Sequence, residues 1–75
     1  MAATVSDGRS QVLTADHDVI AVRQPTAHGA LCKVFVDGVS AGTAAYRNGR
    51  LSITGEYPES SYQAVARAVA LVLGQ

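Results

Sequence analysis

The stretch Gly42-Thr43-Ala44-Ala45-Tyr46-Arg47-Asn48-Gly49-Arg50-Leu51-Ser52-Ile53-Thr54 reads as a β-hairpin, and it decides the fold. Asn-Gly is the strongest short hairpin signal, because a two-residue type I′ turn needs positive φ at both central positions. A turn at Asn48-Gly49 opposes Arg47 to Arg50, Tyr46 to Leu51, Ala45 to Ser52, Ala44 to Ile53 and Thr43 to Thr54. Directly opposed residues share a face. One face then reads Ala44, Tyr46, Leu51, Ile53, and the other Thr43, Ala45, Arg47, Arg50, Ser52, Thr54. That is the split of an antiparallel sheet covered on one side.

Downstream of the hairpin lies the cover. Tyr62, Val65, Ala66, Val69, Val72 and Leu73 recur at helical spacing and predict a core-facing stripe on a helix over residues 58–74. Ser60 through Gln63 fits a capping box with Ser60 as N-cap, Pro58 is an alternative first helical residue, and Gly74 is placed to cap the end. The back of this helix, Gln63, Ala64, Arg67, Ala68 and Leu71, carries a single charge, which is little for a solvated face.

Upstream, Leu31-Cys32-Lys33-Val34-Phe35-Val36 reads as a strand ended by the hairpin signal Asp37-Gly38. Its orientation stays open. A two- or four-residue loop turns Leu31 and Phe35 toward the helix, and a three- or five-residue loop turns Cys32, Val34 and Val36 there, since one residue of slip flips every side chain. Val19 to Val22 is a short β-branched strand, apolar on both faces, and residues 10–13 read as a weaker one. Residues 14–18 and 24–29 carry turn chemistry, and residues 1–9 lack periodicity and read as a flexible arm. The expectation is one α+β domain spanning 1–75, with an antiparallel sheet of three to four strands within 10–55 and one C-terminal helix packed on one face.

Composition narrows the function. With 75 residues there is room for one small domain, which buries only about 60% of its unfolded surface. Hydrophobic residues at 48% and charged residues at 16% exclude a disordered chain. Six basic side chains against six acidic ones argue against nucleic-acid binding, which rests on phosphate neutralisation. A single cysteine excludes an internal disulfide. No apolar run approaches the about 18–20 residues of a membrane span, and the absence of a signal-like start makes the cytoplasm the default location.

Groups able to carry chemistry are few. His17 between Asp16 and Asp18 reads as a solvated turn. His28 and Cys32 are four apart but supply two ligands where a structural zinc site wants four, and Cys32 alternates with Val34 and Val36 as a packed thiol. A nucleophilic pairing of Cys32 with His28 or His17 lacks an oxyanion-hole signal. The reading is therefore of no catalytic residue, no cofactor and no metal. Arg47 and Arg50 make a basic hairpin tip, and Tyr57 and Tyr62 flank the helix start as packing or interface groups. Whichever way the strand at 31–36 faces, an apolar set lies away from the helix. Three coverings stay open: the N-terminal segment folding over through Val12 and Leu13, a second copy of the chain, or a foreign partner.

The block from Leu31 to Leu73 orders hairpin, hairpin, helix. With Val34-Phe35-Val36-Asp37-Gly38, Gly42 and the alanine-rich run from Ala64 to Ala70, it resembles the βββα half of a double-stranded-RNA-binding domain. Pro58-Glu59-Ser60-Ser61 stands where that family places a lysine cluster, so RNA binding is not implied. Order and size also resemble small βββα phage and mobile-element proteins, including some type I anti-CRISPR inhibitors, which implies action by binding a host protein. The expected function is a non-enzymatic protein-binding module that occludes a partner stoichiometrically, with contacts at Val34, Phe35, Arg47, Arg50, Arg67 and Leu71. The alternatives are a self-associating structural subunit, such as a dimeric virion component, and a small metal-binding protein.

Overall fold

The structure, a computed structural model, describes residues 2–24, 31–47 and 50–74, with the side chains of residues 46 and 47 outside the description. Six strands run in chain order across one antiparallel sheet: β1 (Ala2–Ser6), β2 (Arg9–Leu13), β3 (Asp18–Gln24), β4 (Leu31–Val36), β5 (Val39–Arg47) and β6 (Arg50–Gly55). A 3-10 turn (Glu59–Ser61) leads into helix α1 (Tyr62–Leu73), which lies across β2, β3 and β4. The α+β class and the single covering helix agree with the sequence reading. The strand number does not.

The two additional strands come from the N-terminal segment. Residues 2–6 are no arm but a strand paired with β2, from Ala2 opposite Leu13 to Ser6 opposite Arg9. Their connection is Asp7-Gly8, with φ of 49° and 76°. The same dipeptide at Asp37-Gly38 has φ of 54° and 82° and joins β4 to β5. Both are two-residue turns with positive φ at each position, the backbone that matches the twist of an antiparallel pair. The N-terminal segment thus extends the sheet in its own plane and does not fold over a face. Val12 lies in the core and Leu13 is exposed.

The β5–β6 pairing is the one read from the sequence, from Thr43 opposite Thr54 to Arg47 opposite Arg50. The turn at Asn48-Gly49 lies outside the described residues. The β4–β5 pair resolves the open orientation in an unforeseen way. Its loop has two residues, with Val36 opposite Val39 and Phe35 opposite Ser40, but Val34 then faces Gly42, and Ala41 is the extra residue of a β-bulge. The bulge undoes the parity of the short loop. Cys32, Val34 and Val36 therefore turn toward α1, and Leu31 and Phe35 turn away. Two glycines permit it. A Cβ on Gly42 would stand 2.0 Å from the Thr54 carbonyl oxygen, and one on Gly55 (φ 127°) would stand 2.2 Å from that of Ala41. The Glu56 N–H donates to the Ala41 carbonyl at 3.1 Å, and the Tyr57 hydroxyl, folded over the pair, donates to the Thr54 carbonyl at 3.0 Å.

The core lies between the sheet and α1. Val12, Val19 and Val36 form one cross-strand row, and Ser10, Ala21 and Val34 the next. From the helix come Ala64, Val65, Ala68, Val69, Val72 and Leu73. Burying each valine contributes about 1.5–3 kcal/mol. The predicted stripe was rotated by part of a turn: Tyr62 and Ala66 are exposed, whereas Ala64 and Ala68 of the supposed back face are buried. With no atoms beyond Cβ, the alanines let the helix backbone approach the sheet. There the buried Ser10 hydroxyl donates to the Ala68 carbonyl at 2.6 Å. A buried hydroxyl without such a partner costs about 1–3 kcal/mol. Ser60 is not the N-cap, and Ser61 precedes α1 with its hydroxyl donating to the Pro58 carbonyl at 2.7 Å. Gly74 does close the helix, its N–H donating to the Ala70 carbonyl at 2.8 Å.

Gly55→Ala should destabilise the protein by about 1–3 kcal/mol, the usual cost of overpacking, with left-handed strain added. Gly38→Ala, with nothing within 4 Å of the new methyl, should carry the left-handed strain alone, about 1–2 kcal/mol. Urea unfolding of the two variants side by side measures the difference.

Candidate functional site

Strand alternation and the bulge give the sheet a second face with a distinct character. Its central rows are Gln11–Ile20–Phe35–Ser40, Arg9–Val22–Lys33–Thr43–Thr54 and Gln24–Leu31–Ala45–Ser52. Ile20, Val22, Leu31 and Phe35 are half-buried by one another, and no element among the described residues covers them. Lys33 is exposed within this band, opposite Val22 and between Leu31 and Phe35 on β4, Arg9 and Arg50 are exposed to either side of it, and the backbone register puts Arg47 on the same face. Its acidic member, Asp18, accepts a hydrogen bond from the Gln11 amide at 2.8 Å. The face combines a half-buried apolar band with basic side chains, one of them at its centre.

The expected contact residues divide over this geometry. Phe35 and Arg50 belong to the open face, and the side chain of Arg47 lies outside the described residues. Val34 is corrected: it is fully buried beneath α1, because neighbours in a strand point to opposite faces. Leu71 is half-buried against the core rather than presented on a free helix back. Arg67 is exposed on α1, on the other side of the sheet from Phe35. The six residues do not make one surface.

A second cluster was missed. His17 is no solvated turn: its side chain is only 13% exposed. The Thr14 hydroxyl accepts from the N–H groups of Asp16 and His17 at 3.3 and 2.9 Å, and the Thr14 N–H donates to the His17 carbonyl at 2.8 Å. This local turn aims the imidazole at the β4–β5 turn and the start of the helix. Nδ1 lies 2.9 Å from Asp37 Oδ2, and Nε2 lies 2.7 Å from Ser60 Oγ. A carboxylate only accepts, so Nδ1 carries a proton, and in the neutral ring Nε2 accepts from the serine hydroxyl. Asp37 is held in turn: Oδ1 accepts from the Asp18 N–H at 2.8 Å, and the Asp37 N–H donates to the Asp18 carbonyl at 2.8 Å. The Asp18 N–H and then the His17 ring hold the Asp37 carboxyl below its ordinary range. The sequence signal that could have found this was the position of His17 and Asp37 in two turns at the same end of neighbouring strand pairs.

Two clefts flank the helix start. One, about 390 Å3, is lined by Thr14, Ala15, Asp16, Ser60, Gln63, Ala64 and Arg67. The other, about 410 Å3, lies between β6 and α1, where Tyr57 and Tyr62 meet edge to face at 6.5 Å. Cys32 is a free thiol buried in the core, its pKa pushed up by that burial and only partly offset by a backbone hydrogen bond at Ala44. His28 lies outside the described residues. Among the described residues, no three His, Cys, Asp or Glu side chains gather at a metal-sized spacing. No helix among them is long and apolar enough to cross a membrane. In comparisons with known proteins, no family model, no curated protein and no solved structure matches the chain.

Cys32 should resist thiol reagents in the native protein and react at once on unfolding, measured by thiol titration with and without denaturant. The lowered carboxyl of Asp37 means that the unfolded chain binds the proton more readily. Its stabilisation is therefore present above the ordinary carboxylate range and lost as pH falls from about 5. Asp37→Asn, which tolerates the same positive φ, should flatten the fall of Tm between neutral pH and about pH 3.

Proposed function

We propose that this chain is a protein-binding module whose open sheet face takes an acidic partner protein and acts by occupying it. The observation that carries the reading is the face itself: Ile20, Val22, Leu31 and Phe35 together, with Lys33 among them and Arg9 and Arg50 to either side. An exposed apolar patch marks a protein-interaction surface, and cations in and beside it ask for acidic groups on the partner. The charge selects the partner. Two copies laid face to face would oppose cation to cation, which disfavours a dimer through this surface. Nucleic acid would need stacking platforms, and this face offers one aromatic ring, Phe35. Stoichiometric occlusion needs no catalytic group on the face. An inhibitor of phage or mobile-element type, such as a type I anti-CRISPR protein, fits that mode and this size.

Two substitutions test the reading. Phe35→Ala should weaken partner binding by about 2 kcal/mol, roughly thirtyfold, as for a central anchor. Lys33→Glu should weaken it and slow association while changing stability by less than about 0.5 kcal/mol. Affinity capture from host lysate, run in parallel with wild type and both variants, reads this as an acidic protein retained by the wild type alone. A dimer in light scattering that dissociates on Phe35→Ala would overturn the reading in favour of self-association, and retained nucleic acid would overturn it in favour of a nucleic-acid face.

A further inference from the structure

The geometry points to a nucleophilic serine: Ser60, with His17 as its general base and Asp37 as the group that positions the base, forms a site for acyl transfer from small carboxylic esters. This goes beyond the partner-binding reading and uses none of the residues of the open face.

Three elements distant in sequence build the site: the β2–β3 turn, the β4–β5 turn and the 3-10 turn before α1. Serine hydroxyl to imidazole is 2.7 Å and imidazole to carboxylate is 2.9 Å. These are the two hydrogen bonds by which a nucleophile–base–orienter set is recognised on unrelated folds. The polarity is the working one. Asp37 keeps the proton on Nδ1, which leaves Nε2 as the atom that receives the serine proton. Asp37 is fixed by the Asp18 N–H on its other oxygen, so the carboxylate cannot swing away without breaking a second bond.

The site also has room for a substrate. Ser60 is exposed and forms part of the wall of the cleft of about 390 Å3. Gln63, Ala64 and Arg67 follow it at three, four and seven residues, the spacing of one helix face. The Gln63 amide and the Arg67 guanidinium bring N–H donors to that lining, the type of group that stabilises an oxyanion. Thr14, Ala15 and Asp16 form the opposite wall. The Asp16 carboxylate and the Arg67 guanidinium line the same cleft, so neither an anionic nor a cationic acyl group is favoured, and the class of substrate is an ester with a small uncharged acyl group.

The chemistry balances. Ser60 Oγ forms a bond to the acyl carbon as its proton passes to His17 Nε2. The bond from the acyl carbon to the alcohol oxygen breaks, and the leaving alcohol takes the proton from Nε2. Water then attacks the acyl carbon, giving its proton to Nε2. The ester bond to Ser60 breaks, the carboxylic acid leaves, and the proton returns to Oγ.

The test is incubation of the full chain with p-nitrophenyl acetate, followed by release of nitrophenolate and peptide mass spectrometry. The expected result is an acetyl group on Ser60, formed at a rate that rises with pH as an imidazole base deprotonates. Ser60→Ala should lose about a hundredfold or more of the rate, the scale of general-base assistance, with an unchanged circular dichroism spectrum. His17→Gln should lose a similar factor, and its remaining rate should no longer follow an imidazole titration. Asp37→Asn should lower the rate constant of Ser60 acetylation and leave the half-saturating ester concentration unchanged, because the base loses its positioning group while the lining of the cleft is untouched. A merely structural Asp37 would leave that rate constant in place. Acetylation confined to Lys33 and the N-terminus, or a Ser60→Ala protein that turns over ester at the wild-type rate, would overturn the proposal. Should His17→Gln fail to fold, the wild-type pH profile and the Ser60→Ala rate still decide it.

Discussion

One extra residue in β5 organises the molecule. Without the bulge at Ala41, the two-residue turn at Asp37-Gly38 would carry Leu31 and Phe35 under the helix and expel Cys32, Val34 and Val36. With it, small and β-branched side chains lie beneath α1, and the large ones line the opposite face. The bulge depends on two backbones meeting where a Cβ cannot fit, at Gly42 and Gly55, with the Tyr57 ring filling the space that side chains would take. The choice of core, the closeness of the helix and the character of the open face all follow from that local slip.

The helix accepts what the sheet presents. A floor of valine, alanine and serine is shallow, and only a helix face as narrow as Ala64 and Ala68 can settle onto it. The Ser10 hydroxyl then reaches the Ala68 carbonyl. This buried polar contact joins β2 to the middle of α1 and fixes the rotation of the helix about its axis. Tyr62 is thereby left exposed at the rim, where its ring meets Tyr57 edge to face.

The open sheet face and the polar cluster have different origins. The open face arises from strand alternation, because strands apolar on both sides must present one set of side chains away from a single covering helix. The His17–Asp37–Ser60 cluster arises from loop placement. In an up-and-down sheet, alternate turns fall at one end, so the β2–β3 and β4–β5 turns are neighbours there, and the chain returning from β6 to α1 passes beside them. An apolar band interspersed with cations and a polar cluster at the sheet's end are thus separate consequences of one meander.

The local periodicities were legible in the sequence. The Asn48-Gly49 signal carried the register of β5 against β6, and the helical spacing carried α1. Each depends on contacts within a few residues. Asp7-Gly8 carries the same turn signal, but the strand it ends, Ala2–Ser6, is exposed throughout and lacks the hydrophobic alternation that marks a strand in a sequence. Tertiary structure alone decided the face of β4, since a bulge changes parity without changing composition. It also decided the rotation of α1, since alanine is ambivalent between core and surface until a partner of matching depth is present. And it decided the meeting of His17, Asp37 and Ser60, which lie up to 43 residues apart and are brought within hydrogen-bond distance only by the stacking of turns at one end of the sheet.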